Sequence, residues 1–97
     1  MKLLTQELEK KLPELYATEG IETGDKMILC HFFLVDGGFD WYAVEYDPKE
    51  KMFFGFVKTL ESEWGYFSLA QLEEARGKMG LPVERDLYFT PTQFKNL

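Results

Sequence analysis

The stretch MILCHFFLVDGGFDWYAVEYDPKEKMFFGFVKTL, residues 27–60, decides the fold of this chain. It contains three runs rich in β-branched and aromatic residues, 27–35, 39–47 and 52–60, and such runs are typical of β-strands. The connections DGG (36–38) and DPKEK (47–51) hold the Gly, Asp and Pro that favour turns. Three strands joined by short turns predict an antiparallel meander.

A short helix is predicted before the meander. Thr5 can cap its N-terminus, and the helix should end near Leu12, just before a proline. Leu8, Leu12 and Leu15 have a spacing that suits one apolar face. Residues 17–25, ATEGIETGD, are rich in Gly, Thr and acids and predict a loop.

A second helix and two further strands are predicted after the meander. Residues 61–67 predict a fourth strand, which leads into SLAQ, and this tetrapeptide has the spacing of a capping box that starts at Ser68. The helix is then expected to run to Arg76, with Gly77 as its C-terminal cap. Residues 83–90 predict a last strand that ends at a proline.

Length and composition indicate one globular domain. The chain has 97 residues, of which 45% are hydrophobic and 29% charged, which is ordinary for such a domain. With the elements above, they predict a single domain over residues 1–97 of the α+β class, a curved antiparallel sheet of four to five strands with two short helices. Cys30 is the only cysteine, and no apolar segment suits a signal peptide or membrane span, so we expect a cytoplasmic protein.

The acidic balance restricts the classes of partner. Seventeen acidic and 11 basic residues give a net charge of −6, whereas nonspecific nucleic-acid binding relies on Lys and Arg that neutralise phosphates. An acidic protein can mimic nucleic acid toward a DNA-binding partner, although the same charge also serves solubility. We therefore expect a protein partner, with no membrane partner and with nucleic acid disfavoured.

Both faces of the predicted sheet are apolar or aromatic. Trp41 projects to one face of its strand, and Tyr42 and Tyr46 project to the other. Two short helices can cover only one face. Either loops and the N-terminal segment cover the second face, or its aromatic side chains bind a partner protein or a second copy of the chain as a homodimer. The candidate partner-binding residues are Trp41, Tyr42, Tyr46, Phe54, Phe56, Glu84 and Asp86.

Residues suited to catalysis are few. His31 is the only histidine and follows Cys30 directly, and neighbours in a strand project to opposite faces, so the two should not form a nucleophile–base pair. One Cys and one His cannot assemble a zinc site of the usual composition. We expect His31 to be structural, and predict no catalytic residue, metal or cofactor; no phosphate-binding loop is present.

Carboxylates do recur two residues apart in three places, namely Glu45/Asp47, Glu61/Glu63 and Glu84/Asp86. In a strand each pair shares a face, and neighbouring strands can gather several pairs into a Mg²⁺ site or an acid–base pair. The alternative function is therefore a small metal-dependent hydrolase or nuclease. A single-stranded nucleic-acid binder that stacks bases on aromatic residues is a third.

The two arginines are expected to be structural. Arg is favoured where a planar, bidentate contact to a carboxylate is needed, so Arg76 and Arg85 are predicted to form structural ion pairs. The predicted acidic partners of Arg85 are Glu45, Glu63 and Glu73. Arg76, at the end of the predicted helix, also complements the helix dipole.

Four blocks resemble, in the same order, a bacterial family catalogued as domain of unknown function 2958: LLTQELEKKLPELYATE (3–19), EYDPKEKMFFGFV (45–57), EWGYFSLAQLEEARG (63–77) and LPVERDLYFTP (81–91). The resemblance implies a short protein of plasmids, prophages and other mobile elements, with no assigned activity and no catalytic residues to transfer. Our leading hypothesis is a small non-enzymatic accessory protein that acts through protein–protein contacts. It would modulate or inhibit a nucleic-acid enzyme of the host or the element, in an anti-defence role.

Overall fold

The computed structural model describes residues 1–97 and contains seven strands, two α-helices and two 3₁₀ turns. The strands are β1 (Met27–Ile28), β2 (Cys30–Leu34), β3 (Asp40–Asp47), β4 (Met52–Lys58), β5 (Ser62–Ser68), β6 (Val83–Arg85) and β7 (Thr92–Gln93). The helices are α1 (Gln6–Lys11) and α2 (Leu69–Glu74), and the 3₁₀ turns are η1 (Thr23–Asp25) and η2 (Phe94–Asn96).

Five of the strands form one antiparallel sheet in the order β5-β4-β3-β2-β6. The meander of β2, β3 and β4 lies at its centre, and Gly38, at φ 70°, supplies the positive backbone angle that the β2–β3 turn requires. β1 and β7 form a separate two-stranded sheet. The predicted α+β architecture is therefore confirmed, and the sheet is open, with β5 and β6 at its edges.

Two predicted strands differ from those observed. The run 27–35 is divided at Leu29 into β1 and β2, because β1 pairs with β7 whereas β2 pairs with β3 and β6. The last strand ends at Arg85 rather than at residue 90. It ends there because residues 86–89 form a turn in which the Phe89 N–H donates to the carbonyl of Asp86 at 3.3 Å.

Both helix starts are as predicted. Thr5 Oγ1 accepts the Leu8 N–H at 3.2 Å. Ser68 Oγ accepts the Gln71 N–H at 3.0 Å, and the Gln71 side chain accepts the Ser68 N–H at 2.8 Å, which completes the capping box. Neither helix has the length or apolar character needed to cross a membrane.

The predicted end of α2 is wrong. The helix ends at Glu74, because the chain turns back and Arg76 pairs with Pro82 in an isolated bridge. Gly77 is therefore not a helix cap. Its lack of a side chain has another cause, since a Cβ there would lie 1.4 Å from Oδ1 of Asp36.

The core lies on one face of the sheet, which we call the core face. Phe53 is fully buried at its centre and contacts the rings of Phe32 and Phe67, at centroid distances of 5.5 and 5.1 Å. Leu72 of α2 and Leu12, which directly follows α1, pack against this cluster. The N-terminal segment adds Leu3 and Leu4 to the same cluster.

A β-bulge in β3 changes which residues face the core. Ala43 pairs with Gly55 and Glu45 with Phe54, so Val44 is an extra residue in the ladder. Beyond a bulge the alternation of faces is shifted by one residue. Tyr46 consequently joins Ala43 on the core face, where it is only 2% exposed, and it is not available for partner binding as predicted.

Candidate functional site

The face of the sheet opposite the core carries a row of rings, which we call the aromatic face: His31, Tyr42, Phe54, Phe56, Trp64 and Tyr66. Rings on adjacent strands contact one another, with centroid distances of 5.1 Å for Phe54–Tyr66 and 5.5 Å for Phe56–Trp64. Such cross-strand pairs stabilise a sheet. All six rings are partly accessible, and Tyr66 is 52% exposed.

The C-terminal segment covers part of the aromatic face. Phe89 lies 5.9 Å from His31, and Phe94 lies 4.8 Å from Phe56 and 4.9 Å from Trp64, measured between ring centroids. The expectation that loops and the N-terminal segment cover this face is therefore correct only for loops. The N-terminal segment packs on the core face instead.

Glu45 is the centre of a buried polar network at one end of the aromatic face. Its carboxylate accepts the backbone N–H groups of Tyr16 and Thr18, at 2.8 and 3.0 Å, and the Thr18 hydroxyl. Lys26 donates to the carbonyl of Thr18. The network supplies hydrogen bonds to the buried Glu45 carboxylate and attaches the 13–26 loop to the sheet. Glu45 therefore has a structural role.

The carboxylate pairs are not gathered into one site. Glu45 is held by Tyr16 and Thr18, whereas Asp86 contacts His31 on another strand. No group of three or more His, Cys, Asp or Glu side chains is arranged to hold a metal ion. The metal-dependent hydrolase or nuclease therefore stays a prediction that no such group supports.

His31 lies between two aspartates and against Tyr42. Its Nε2 is 2.7 Å from Asp40 Oδ1 and its Nδ1 is 3.2 Å from Asp86 Oδ2, while its ring stacks on Tyr42 at 4.5 Å. A neutral imidazole has one N–H, so it can donate to only one of these carboxylates, and the protonated ring donates to both. Burial, and then the charges of Asp40 and Asp86, raise the pKa of Tyr42.

Cys30 lies on the opposite side of β2 from His31, as strand alternation predicts. It belongs to the core cluster and is 3% exposed. Burial raises the pKa of its thiol to about 12, against an opposing effect of the Arg85 charge. The thiol is therefore unreactive, and the two residues form no nucleophile–base pair.

Asp86 orders a turn that presents two apolar side chains to solvent. Its Oδ1 accepts the Tyr88 N–H at 3.0 Å, and its own N–H donates to the carbonyl of His31 at 2.9 Å. Phe89 packs inward on the aromatic face, whereas Leu87 and Tyr88 are 63% and 94% exposed. We call residues 86–89 the presented turn.

The two edges of the sheet differ in their protection. β6 is three residues long, and the N-terminal segment covers it, because Arg85 donates from Nη1 to the carbonyls of Lys2 and Leu3, each at 2.7 Å. The Arg85 N–H also contacts the sulfur of Met1 at 3.1 Å. β5 has no such cover on its outer side.

The predicted structural ion pairs of Arg76 and Arg85 are wrong. Arg76 donates from Nη1 to the carbonyls of Glu73 and Ala75, at 2.9 and 2.8 Å, and Arg85 donates to the N-terminal carbonyls described above. Neither forms an ion pair. The last carbonyls of a helix and those of an extended segment lack intrasegment partners, and a guanidinium offers several N–H donors to them.

A groove of about 440 Å³ lies between α2 and the core face, beside β5. We call it the α2 groove. Its walls are mainly apolar and include Phe39, Trp41, Val57 and Ala75, and it is also lined by Glu63 and Arg76.

The predicted partner-binding residues are thus dispersed. Tyr42, Phe54 and Phe56 are together on the aromatic face, whereas Trp41 lines the α2 groove. Glu84 pairs with Phe33 at the β6 edge, and Asp86 orders the presented turn. Leu87 and Tyr88 were not predicted as exposed binding residues, because the sequence predicts a strand there. The available turn signal was Asp86, since an Asp side chain often accepts the N–H of the residue two positions later.

Comparisons with known proteins give one match. The family described as "Protein of unknown function (DUF2958)" matches residues 3–95. No curated protein and no solved structure matches the chain. The sequence resemblance is confirmed for the family, while the mobile-element context stays a prediction.

Proposed function

The chain belongs to this family of unknown function, and we propose that it is a small non-enzymatic accessory protein that acts by binding other proteins. The presented turn is the observation that carries the proposal. Leu87 and Tyr88 are 63% and 94% exposed on a turn that Asp86 and Phe89 hold in place. Large side chains on an ordered turn offer contact area at a low cost in conformational entropy.

The aromatic face adds to the same surface. Phe89 connects the presented turn to His31 and Tyr42, so the exposed and the partly exposed rings are continuous. Tyr, Trp and Phe are enriched at the cores of protein interfaces, and continuous apolar surface on a small protein commonly marks a binding site. Both features favour a protein partner.

We further propose that the partner is a nucleic-acid enzyme of the host or of a mobile element, and that this protein modulates or inhibits it. The net charge of −6 supports a basic partner surface, and surfaces that bind nucleic acid are basic. The family resemblance, which implies plasmids and prophages, supports an anti-defence role. A single-stranded nucleic-acid ligand is less consistent with the same charge.

The test compares partner capture by surface variants. Tagged protein would be used for quantitative affinity purification from nuclease-treated lysate of its host, so that captured proteins are not bridged by nucleic acid. The double variant Leu87→Ser/Tyr88→Ser is expected to lose the captured partner. Met79→Ser is the matched control, because Met79 is 80% exposed but lies in the α2–β6 connection, outside the presented turn, the aromatic face and the α2 groove.

Two results would contradict the proposal. The first is that the wild-type protein captures nothing beyond the untagged background. The second is that the double variant and Met79→Ser retain the same partner equally. Thermal melts of all three proteins should agree, since the substituted side chains are exposed and contribute little to stability.

A further inference from the structure

β5 is an open edge of the five-stranded sheet. It pairs with β4 over seven consecutive residue pairs without a bulge. No backbone hydrogen bond joins residues 63–67 to any element other than β4. One side of β5 therefore has backbone donors and acceptors without protein partners.

Most of the usual protections of an edge strand are missing from β5, whose single charged side chain is that of Glu63. Natural edge strands are commonly short, bulged, or supplied with Lys or Pro, which prevents pairing with other chains. β6 follows that rule, being three residues long and covered by the N-terminal segment. β5 has seven residues, SEWGYFS, with neither Lys nor Pro. A regular open edge of this length suits strand addition by another chain.

The α2 groove lies directly beside this edge. Glu63, Gly65 and Phe67 line the groove from β5, and Leu72 and Ala75 line it from α2. Alternate side chains of a strand project to the same face, so every second side chain of a strand added to β5 would enter the groove. Main-chain hydrogen bonds and a side-chain pocket are thus available together.

The charges around the groove indicate the chemistry of the added strand. From residue 61 to residue 76 the chain has four carboxylates and one basic side chain, that of Arg76, which gives this stretch a net charge of −3; Glu63 and Arg76 are the charged residues that line the groove itself. All four carboxylates are exposed and none forms an ion pair: Glu61, Glu63, Glu73 and Glu74. A segment that carries Lys or Arg complements them.

We propose that β5 and the α2 groove bind an extended basic segment of a partner protein, which adds to the sheet as a sixth strand. Apolar side chains of the segment fill the groove, and its Lys or Arg residues pair with Glu63 and the other carboxylates. A second copy of the chain is the poorer occupant, because it would bring the same four carboxylates to the seam. This inference rests on the proposed protein-binding function and gives it a site and a partner chemistry.

The test uses the capped peptide KKVLVLKK as a probe and EEVLVLEE as its charge-reversed control. Affinity would be measured by fluorescence anisotropy, and the site would be mapped from amide shifts in NMR spectra of the labelled protein. We expect KKVLVLKK to bind, to shift the amides of β5 and α2, and to bind about tenfold more weakly to Glu63→Lys. Glu63→Gln should have a smaller effect in the same direction.

The matched control is Glu22→Lys, which makes the same charge change at an exposed residue next to η1. It should bind the probe nearly as well as the wild-type protein. Four results would overturn the inference: no binding of KKVLVLKK, equal binding of both peptides, equal loss in the Glu63 and Glu22 variants, or shifts confined to the aromatic face. A wild-type dimer with its β5 amides in the interface would also overturn it, in favour of a second copy.

Failure of this inference is distinguishable from failure of the proposed function. If the peptide does not bind β5 but a host protein is captured and then lost in Leu87→Ser/Tyr88→Ser, strand addition is wrong and the protein-binding function stands. If neither the peptide nor any host protein binds, both are wrong.

Discussion

Replacing Arg85 by Met should release the N-terminal segment from the β6 edge. The guanidinium donates two hydrogen bonds of 2.7 Å, to the carbonyls of Lys2 and Leu3. Met keeps an apolar side chain of similar length but has no N–H donor. Because Leu3 and Leu4 are buried in the core cluster, loosening the segment also weakens the packing of the core face.

The expected loss follows from those two bonds. A hydrogen bond to a charged group contributes about 1.5–3 kcal/mol to stability. The bond to Lys2 is exposed to solvent and belongs at the low end, whereas the bond to Leu3 is partly buried. We therefore expect a loss of about 3 kcal/mol in the free energy of unfolding. For a domain of this size, that loss lowers the Tm by at least about 10 °C.

Urea unfolding followed by tryptophan fluorescence measures this loss, and circular dichroism follows the Tm. Arg85→Lys should lie between wild type and Met, because an ammonium carries a charge but lacks the planar geometry of a guanidinium. Arg76→Met is the matched control. Arg76 also donates to two carbonyls, but both are within three residues of it, so removing its guanidinium frees no distant segment, and the loss should be less than half that of Arg85→Met.

The reasoning would be refuted if Arg85→Met unfolded within about 0.5 kcal/mol of the wild-type protein with an unchanged m-value. An equal loss in Arg85→Met and Arg76→Met would also refute it. That result would mean that the attachment of the N-terminal segment contributes nothing specific.

Two further predictions concern a buried thiol and a close backbone approach. Burial raises the pKa of Cys30 from 9.0 to about 12, so iodoacetamide at pH 8 should label it only after unfolding; equal labelling rates would contradict this. Since the unfolded thiol loses its proton first, stability should fall between pH 9 and 12 by up to about 1.4 kcal/mol per pH unit, and Cys30→Ala should reduce that slope. Gly77→Ala should cost about 1–2 kcal/mol in urea unfolding, because its Cβ would displace the Asp36 carboxylate that accepts the Met79 N–H. Gly20→Ala, where a Cβ meets nothing within 4 Å, should not change stability; matching losses would show that the contact is unimportant.

Local signals in the sequence were sufficient wherever one short segment determines its own structure. Thr5 and Ser68 cap their helices because an N-cap needs only a side-chain oxygen and the N–H three residues later. The meander was predictable for the same reason, because three apolar runs and two short connections determine it locally. Its strand order required only that sequential strands be neighbours.

The wrong predictions concern residues whose structure depends on another part of the chain that is distant in sequence. The bulge at Val44 turns Tyr46 to the core, and simple alternation along β3 cannot reveal it. Gly77 has the sequence position of a helix cap, but the structure shows that it lacks a side chain because Asp36, from the β2–β3 turn, lies against it. The predicted partners of the two arginines are carboxylates, whereas the observed partners are backbone carbonyls. Nothing in the sequence indicates which carbonyls the fold leaves unpaired.

The candidate site was predictable only in part for the same reason. That both faces of the sheet are aromatic could be recognised from Trp41 and Tyr42, which project to opposite faces of one strand. Which rings stay accessible depends on where the C-terminal segment crosses, and Phe89 and Phe94 decide that. Whether β5 is open depends on whether another element pairs with its outer side, which is a property of the assembled sheet.

The presented turn and the β5 edge are close enough for one partner to contact both. The turn is anchored on β2 and follows β6, so three to four strand spacings, roughly 15–20 Å, separate it from β5. A standard interface covers about 800 Å² on each partner, a patch roughly 30 Å across. Tyr66 belongs to β5 and to the aromatic face, which extends from that strand to His31 beneath the turn. Because the side chains of an added strand alternate between the α2 groove and the aromatic face, we expect a partner that adds a basic strand to β5 to reach the exposed Tyr88 as well.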